Sequence, residues 1–301
     1  MILVTGGAGY IGSRTCVELL NAGHEVVVFD NFSNSHPEVL KRVEAIKGKS
    51  VQLVEGDIHD QVALENTTRG FAYTSAIHLA GLKAVGESVE KPLEYYNNNV
   101  IGSHRLLQAM GSCGIKTLVF SVSATVYGAP QFLPLTEDHP LSAANPNGRA
   151  KLVIEEMLRD LYRSHPTWRI GILRYFNPLG AHESDLIGED RQGVPNNLMP
   201  FVAQVAFGRR VCLKVWGSDC QTPDGTGARD YIHVVNLALG HLKALNRLQS
   251  SQCFEVNLGT GSVTAFWTWL RHLRRLVVAL FVMNFHYAAQ VTLLHAKRTQ
   301  V

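Results

Sequence analysis

Lys151 stands four residues after Asn147 in Asn145-Pro-Asn-Gly-Arg-Ala-Lys151, and Ser121-Val-Ser123 closes an apolar run upstream. Positions four apart share one face of a helix, so the amide and the ammonium would meet the same surroundings. Serines and a lysine can hold the hydroxyls of a bound molecule, but proton chemistry also needs a base. Asn147 supplies only an amide, which has no accessible ionisation. Tyr127 lies in a different motif, Ser123-Ala-Thr-Val-Tyr-Gly128, and is not an obvious replacement.

A second chemical feature opens the chain. Met1-Ile-Leu-Val-Thr-Gly6 reads as a buried first strand, and Gly6-x-x-Gly9-x-x-Gly12 turns it into a helix. Gly6 permits a tight bend, Gly9 lets backbone approach a pyrophosphate, and Gly12 lets helix and strand pack closely. The helix start offers unpaired N–H groups and a positive dipole end to phosphates. Asp30 follows Gly12 by 18 residues at the end of a second strand. A carboxylate there suits a ribose 2′-OH and repels a 2′-phosphate, so NAD is favoured over NADP. Asp57 ends a third strand, where an adenine would lie; a plain turn residue is the other role open to it. His78-Leu-Ala-Gly81 ends a fourth with small residues, as close approach by a cofactor requires.

The elements that must position these groups alternate. Strands are expected at Ile2–Thr5, Glu25–Asp30, Val51–Glu55, Ser75–Leu79, Thr117–Ser121 and Arg169–Leu173. Helices are expected at Arg14–Asn21, Tyr95–Gly111 and Arg149–Ser164. Such alternation implies parallel strands with right-handed crossovers: an α/β fold with a Rossmann-type doubly wound parallel sheet. From Phe176 the texture turns to loops, expected to form a smaller C-terminal substrate-binding lobe. Asp230–Val235 and Phe254–Gly259 read as short strands that return to the main sheet. The division expected is 1–175 for the cofactor, 176–261 for the substrate, and a divergent tail at 262–301.

Composition bounds the rest. With 301 residues, 46% hydrophobic and 18% charged, the chain suits a folded α/β enzyme. Its five cysteines are scattered without a Cys-x-x-Cys pair, which argues against a disulfide framework or metal site and fits the cytoplasm. The net charge of +3 comes from the tail: acidic residues stop at Glu255, while Arg271, Arg274, Arg275, Lys297 and Arg298 follow. The body therefore gives no case for nucleic acid. Leu276–Leu294 is mostly apolar, but Asn284, His286 and Gln290 interrupt it, so a membrane role is disfavoured.

Further stretches carry a resemblance: Ala80-Gly-Leu-Lys-Ala-Val-Gly-Glu-Ser88, Leu173-Arg-Tyr-Phe-Asn-Pro178, Pro195-Asn-Asn-Leu-Met-Pro200 and Asp224-Gly-Thr-Gly-Ala-Arg-Asp-Tyr-Ile-His233. With the N-terminal glycine turn, they make the chain resemble the UDP-glucose 4-epimerases of the extended short-chain dehydrogenase/reductase family, from Met1 to about Gly261. The resemblance implies interconversion of UDP-glucose and UDP-galactose on tightly held NAD. In that scheme a tyrosinate takes the sugar's 4-OH proton while C4 gives up a hydride, and the 4-keto sugar turns over before the hydride returns. A homodimer is also implied, pairing the Tyr95–Gly111 and Arg149–Ser164 helices.

Position by position, Ser123 matches the serine that bonds the 4-OH, and Lys151 the lysine that holds the nicotinamide ribose. Asn147 falls where the catalytic tyrosine belongs. Gly6, Gly9, Tyr10, Ile11, Gly12, Asp30, Asn31, Asp57, Ile58, Lys83, Asn98, Ser121 and Tyr175 match cofactor positions. Asn177, Asn197, Leu198, Trp216 and Arg229 match the nucleotide-sugar pocket. Plainer roles stay open: a turn at Asn177-Pro178, core for Trp216, an ion pair for Arg229. The family's Arg-Arg-Glu-Gly-Asp-like block has no counterpart in Ser262–Val301, which weakens the expected grip on UDP. A sugar dehydratase fits less well, because Ala124-Thr125 offers no acid/base pair beside Ser123. The alternative reading is a relative that binds NAD and UDP-sugar without significant turnover.

Overall fold

The computed structural model describes residues 1–189, 197–211, 220, 222–250 and 252–271. The chain runs β1 (Ile2–Thr5), α1 (Tyr10–Asn21), β2 (Val26–Asp30), α2 (Glu38–Lys47), β3 (Gln52–Glu55), α3 (Gln61–Gly70) and β4 (Ser75–His78). Then come α4 (Val85–Glu90), α5 (Pro92–Tyr95), a π-helical segment (Tyr96–Ile101), α6 (Gly102–Ser112), β5 (Thr117–Ser123) and a 3₁₀ turn (Ala124–Tyr127). It continues with α7 (Pro146–Ser164), β6 (Arg169–Tyr175), β7 (Asn177–Leu179), α8 (Leu198–Ala206), β8 (Ala228–His233), α9 (Val234–Arg247), β9 (Cys253–Leu258) and β10 (Val263–Ala265).

Seven strands form a sheet in the order β3-β2-β1-β4-β5-β6-β9, every neighbour parallel. The order reverses between β1 and β4, where a doubly wound sheet opens a crevice beyond its strands' carboxyl ends. β1 is buried throughout, with Ile2 and Val4 in one core and Leu3 in the other. Burial on both faces is why it reads as an unbroken apolar run.

The chain divides into two compact units, Met1–Gln192 with Ile232–Leu258, and Gly193–Tyr231 with Gly259–Val301. The first holds the seven-stranded sheet, with α9 and β9 completing it. In the second, Ala228–Asp230 pairs antiparallel with β10. There the buried Asp230 carboxylate accepts from the N–H groups of Thr260 and Gly261, each at 2.9 Å.

Several elements differ from expectation, among them Asn177–Leu179, which reads as loop and is β7. The strand expected at Asp230–Val235 does not return to the main sheet: β8 pairs with β10 instead and stops at His233, whose side chain caps α9, so the apolar run changes period rather than continuing. Pro195–Pro200 reads as loop, yet α8 starts at Leu198 with Pro200 in its first turn, where a missing N–H costs nothing. α7 starts at Pro146, not Arg149, because Asn145 caps it through Gly148 N–H at 2.9 Å. The helix expected over Tyr95–Gly111 contains the π segment, which inserts extra residues into the turn. No helix among the described residues is long and apolar enough to cross a membrane, and Leu276–Leu294 lies outside them.

Candidate active site

The turn after β1 is shaped by what cannot be there. Gly6 has φ +71°, and a Cβ on it would lie 2.6 Å from Ala80 N. A Cβ on Gly12 would lie 2.2 Å from Gly6 O, so α1 can close on the turn only without a side chain. Gly9 is the N-cap of α1 and carries no capping side chain, which leaves the helix's first N–H groups open to an anion.

This turn forms the floor of a cavity of about 340 Å³. The cavity draws its lining from the ends of β1 to β6, the start of α1, the π segment and α7: Gly6, Gly9, Tyr10, Ile11, Gly12, Asp30, Asn31, Ile58, Lys83, Asn98, Ser121, Lys151 and Tyr175. Asp57 is not part of this lining. It accepts from Asn31 Nδ2 at 2.8 Å and from His59 N–H at 2.8 Å and His59 Nδ1 at 2.5 Å. Burial works against its charge, yet these hydrogen bonds prevail and hold the carboxyl below its ordinary value. Asp57 is thus both a turn residue and the support of Asn31.

At the β2 end, Asp30 Oδ2 accepts from Ala8 N–H at 2.9 Å, tying the strand to the glycine turn. Its Oδ1 accepts from Phe32 N–H at 2.9 Å and Ser35 Oγ at 3.0 Å. Ser33, Asn34 and Ser35 add hydroxyl and amide groups to this end of the cavity. Sequence reasoning missed them, although a polar run directly after an acidic strand end was a usable signal.

The loop after β4 is fixed by Asn99, also missed. Its Oδ1 accepts from Leu82 N–H at 2.8 Å and from Asn98 Nδ2 at 2.9 Å, while Nδ2 donates to Leu82 O at 3.0 Å. The π segment aims both asparagines at this loop. Below it, Ser103 donates to Asn99 O at 2.6 Å, so it accepts from His78 Nε2 at 2.8 Å, and His78 Nδ1 accepts from Thr5 at 2.6 Å. Burial, aided by the Lys151 charge, pushes the His78 pKa down to about 3, which keeps the ring neutral. Lys83 lies 3.7 Å from Glu189 and over the Tyr10 ring.

Lys151 rises from α7, 8% exposed, with Nζ over the Phe120 ring at 5.3 Å. No described residue accepts a hydrogen bond from it, and burial lowers its pKa to about 8. Opposite stand Ser121, bonded to His241 Nε2 at 2.9 Å, and Tyr175, whose pKa burial raises to about 12.

Ser123 and Asn147 are not in the cavity wall. Ser123 Oγ accepts from Thr125 N–H at 3.4 Å. Asn147 is 4% exposed, and its Oδ1 has no partner among the described residues. A Cβ on neighbouring Gly148 would be 2.9 Å from Thr125 O, so the start of α7 presses on the turn that follows Ser123. Tyr127 is excluded as a stand-in base. Its hydroxyl is committed to Asn257 at 2.7 Å and Arg174 at 3.0 Å, and burial raises its pKa despite Arg174.

Of the remaining positions, Asn177 lies in β7 of the first unit. In the second, Asn197 is the N-cap of α8 and Leu198 its first residue. Arg229 is exposed and donates to Ala228 O at 2.9 Å rather than pairing beside Asp230. Trp216 lies outside the described residues.

The glycine cradle, the carboxylate ending β2 and a buried ammonium without an acceptor among the described residues fit a nicotinamide dinucleotide, phosphates at α1 and ribose hydroxyls at either end. They define the class of NAD-dependent enzymes built on the doubly wound sheet. Within it, the chain belongs to the NAD dependent epimerase/dehydratase family, whose model matches residues 2–259. It is 56% identical over 269 residues to the UDP-glucose 4-epimerase of Mus musculus, spanning 87% of this chain and 78% of that protein. It is 56% identical over 262 residues to that of Bacillus subtilis, spanning 87% and 77%. The UDP-glucose 4-epimerase of Bifidobacterium longum, solved with NAD⁺ and UDP, matches with a TM-score of 0.89 and 48% identity over 91% of this chain and 82% of that one.

Proposed function

We propose that the chain is a UDP-glucose 4-epimerase by descent, acting on UDP-galactose and UDP-glucose with turnover weakened at Asn147. The observation that carries this reading is Lys151: a buried ammonium without an acceptor among the described residues, lining the same cavity as the glycine cradle. Bound NAD would supply a hydride acceptor that later returns the hydride. Lys151 would hold the nicotinamide ribose, Asp30 the adenosine ribose and Lys83 the diphosphate. Ser123 would hold the sugar's 4-OH, with Asn177, Asn197, Leu198, Trp216 and Arg229 around the nucleotide sugar. Without a general base the rate falls by roughly 10²–10⁴-fold.

A second reading, binding of NAD and UDP-sugar without significant turnover, is favoured by Asn147 itself. Its amide is buried beside the Ser123 turn, its oxygen without a partner among the described residues, where the reaction needs a proton acceptor. Conversion of UDP-galactose to UDP-glucose by this chain and by Asn147→Tyr, with circular dichroism on both, separates the two. Activity confined to Asn147→Tyr supports a sound pocket lacking its base. Substantial turnover by the unaltered chain refutes impairment, and no turnover by either, with both folded, refutes the epimerase reading. We further propose a homodimer, on the exposed Val89, Leu93, Ile101 and Val153, and a cytoplasmic setting, on the free thiols of Cys16, Cys113, Cys220 and Cys253.

A further inference from the structure

His241 is fully buried on α9, and no motif in the sequence singled it out. Its Nδ1 lies 2.8 Å from Leu237 O, one turn back along the helix, and its Nε2 lies 2.9 Å from Ser121 Oγ. A carbonyl oxygen can only accept, so the proton sits on Nδ1. Nε2 is then a bare lone pair, and the Ser121 hydroxyl must donate to it. With its one proton turned toward α9, the Ser121 oxygen can only accept from the cavity that it lines.

The approach is built in. α9 packs on the same side of the sheet as α1, and a Cβ on Gly240 would lie 2.8 Å from Leu258 Cδ1. Gly240 thus leaves room for the Leu258 side chain of β9 against α9, one residue from His241. Burial, the larger influence, lowers the ring's pKa to about 4 despite its bond to Leu237 O. The acceptor thus stays an acceptor across the physiological range.

We propose that His241 is a positioning residue that makes Ser121 an obligate acceptor for the carboxamide N–H of the bound cofactor. Ser121 stands with Lys151 and Tyr175, away from the Asp30 end of the cavity. The carboxamide is the group at the reactive end of NAD that offers N–H donors. A serine free to rotate would bond either side of that amide; one held by His241 bonds only its N–H₂ side, which fixes how the ring is presented. The proposal rests on the reading of this cavity as the NAD site, but not on turnover.

The test is titration of the cofactor-stripped full chain with NAD and with 3-acetylpyridine adenine dinucleotide, whose methyl ketone has no N–H. The unaltered chain is expected to prefer NAD by roughly 3–10-fold, the range of one neutral hydrogen bond. Ser121→Ala and His241→Phe should both lose that preference while still binding the analogue. His241→Gln, whose amide can donate to Leu237 O and accept from Ser121, should keep it. Equal weakening of both dinucleotides by His241→Phe would mean a purely structural role and overturn the proposal. An undiminished preference in Ser121→Ala would overturn it even if His241→Phe does not fold. Binding of neither dinucleotide by the unaltered chain would sink the cofactor reading and this proposal with it.

Discussion

Lys151 is held where its own charge is unwelcome. With its pKa lowered from 10.5 to about 8 by burial, the unfolded chain binds more protons than the folded one between those values. Stability therefore rises with pH across that window, and the full penalty, up to about 3 kcal/mol, applies below it. Lys151→Met should be the more stable protein at pH 7 in urea titrations of cofactor-free chains, the gap closing as pH approaches 10.5. The same change should weaken NAD binding by roughly 10–100-fold, the worth of a hydrogen bond from a charged donor. A variant that is no more stable, or that binds NAD equally well, would show that Lys151 is packing rather than equipment. Lys151, Asp30 and the glycines were legible because each belongs to a short motif with fixed spacing. His241 and Asn99 were not. Their partners lie 120 and 17 residues away, and nothing local in the sequence records who bonds to whom.

Elements show the same divide. β1 and β2 were legible as apolar runs, whereas the π segment was not, because tertiary bonds from Asn99 to Leu82 hold a turn that periodicity alone reads as ordinary helix. α7 has a different kind of anchor. The buried Glu155 accepts two bonds from Arg174, at 3.0 and 2.8 Å, and one from Arg159 at 2.6 Å. Arg159 also reaches Glu255 on β9 at 2.6 Å, so the cluster ties α7 to β6 and β9. Because α7 carries Lys151 and Asn147, this ion cluster sets their height above the sheet. Glu155→Ala takes both close carboxylate hydrogen bonds from the Arg174 guanidinium, 1% exposed, and leaves it Glu255 at 3.7 Å. Breaking such a buried pair costs about 3–5 kcal/mol. A urea midpoint unchanged from the unaltered chain would mean that the cluster contributes little.

At the scale of the whole molecule, alternating strands and helices pointed to a doubly wound sheet, but not to how far the chain returns to it. α9 and β9 come back after the second unit has begun, and that return was only partly visible, because the apolar residues of α9 read as a strand's. The surface raises the last question. α4, α5, the π segment and α7 pack together, and they present Val89, Leu93, Ile101 and Val153 to solvent, Leu93 at 81% exposure. Single exposed apolar residues are ordinary, but a group on adjoining helices is a candidate face for another surface. A second copy meeting it about a two-fold axis would bury both faces at once. Light scattering at micromolar concentration should then give twice the chain mass of 33.2 kDa. Leu93→Glu combined with Val153→Glu should return it to one chain. The π segment that carries Ile101 also carries Asn98 to the cavity and Asn99 to the Leu82 loop, so a covering partner would brace the cofactor loop from behind. Retention of NAD should therefore fall on dilution through the dimer's dissociation range and be lower in the double variant. A monomer that keeps NAD at every concentration would separate the face from the site and refute the coupling.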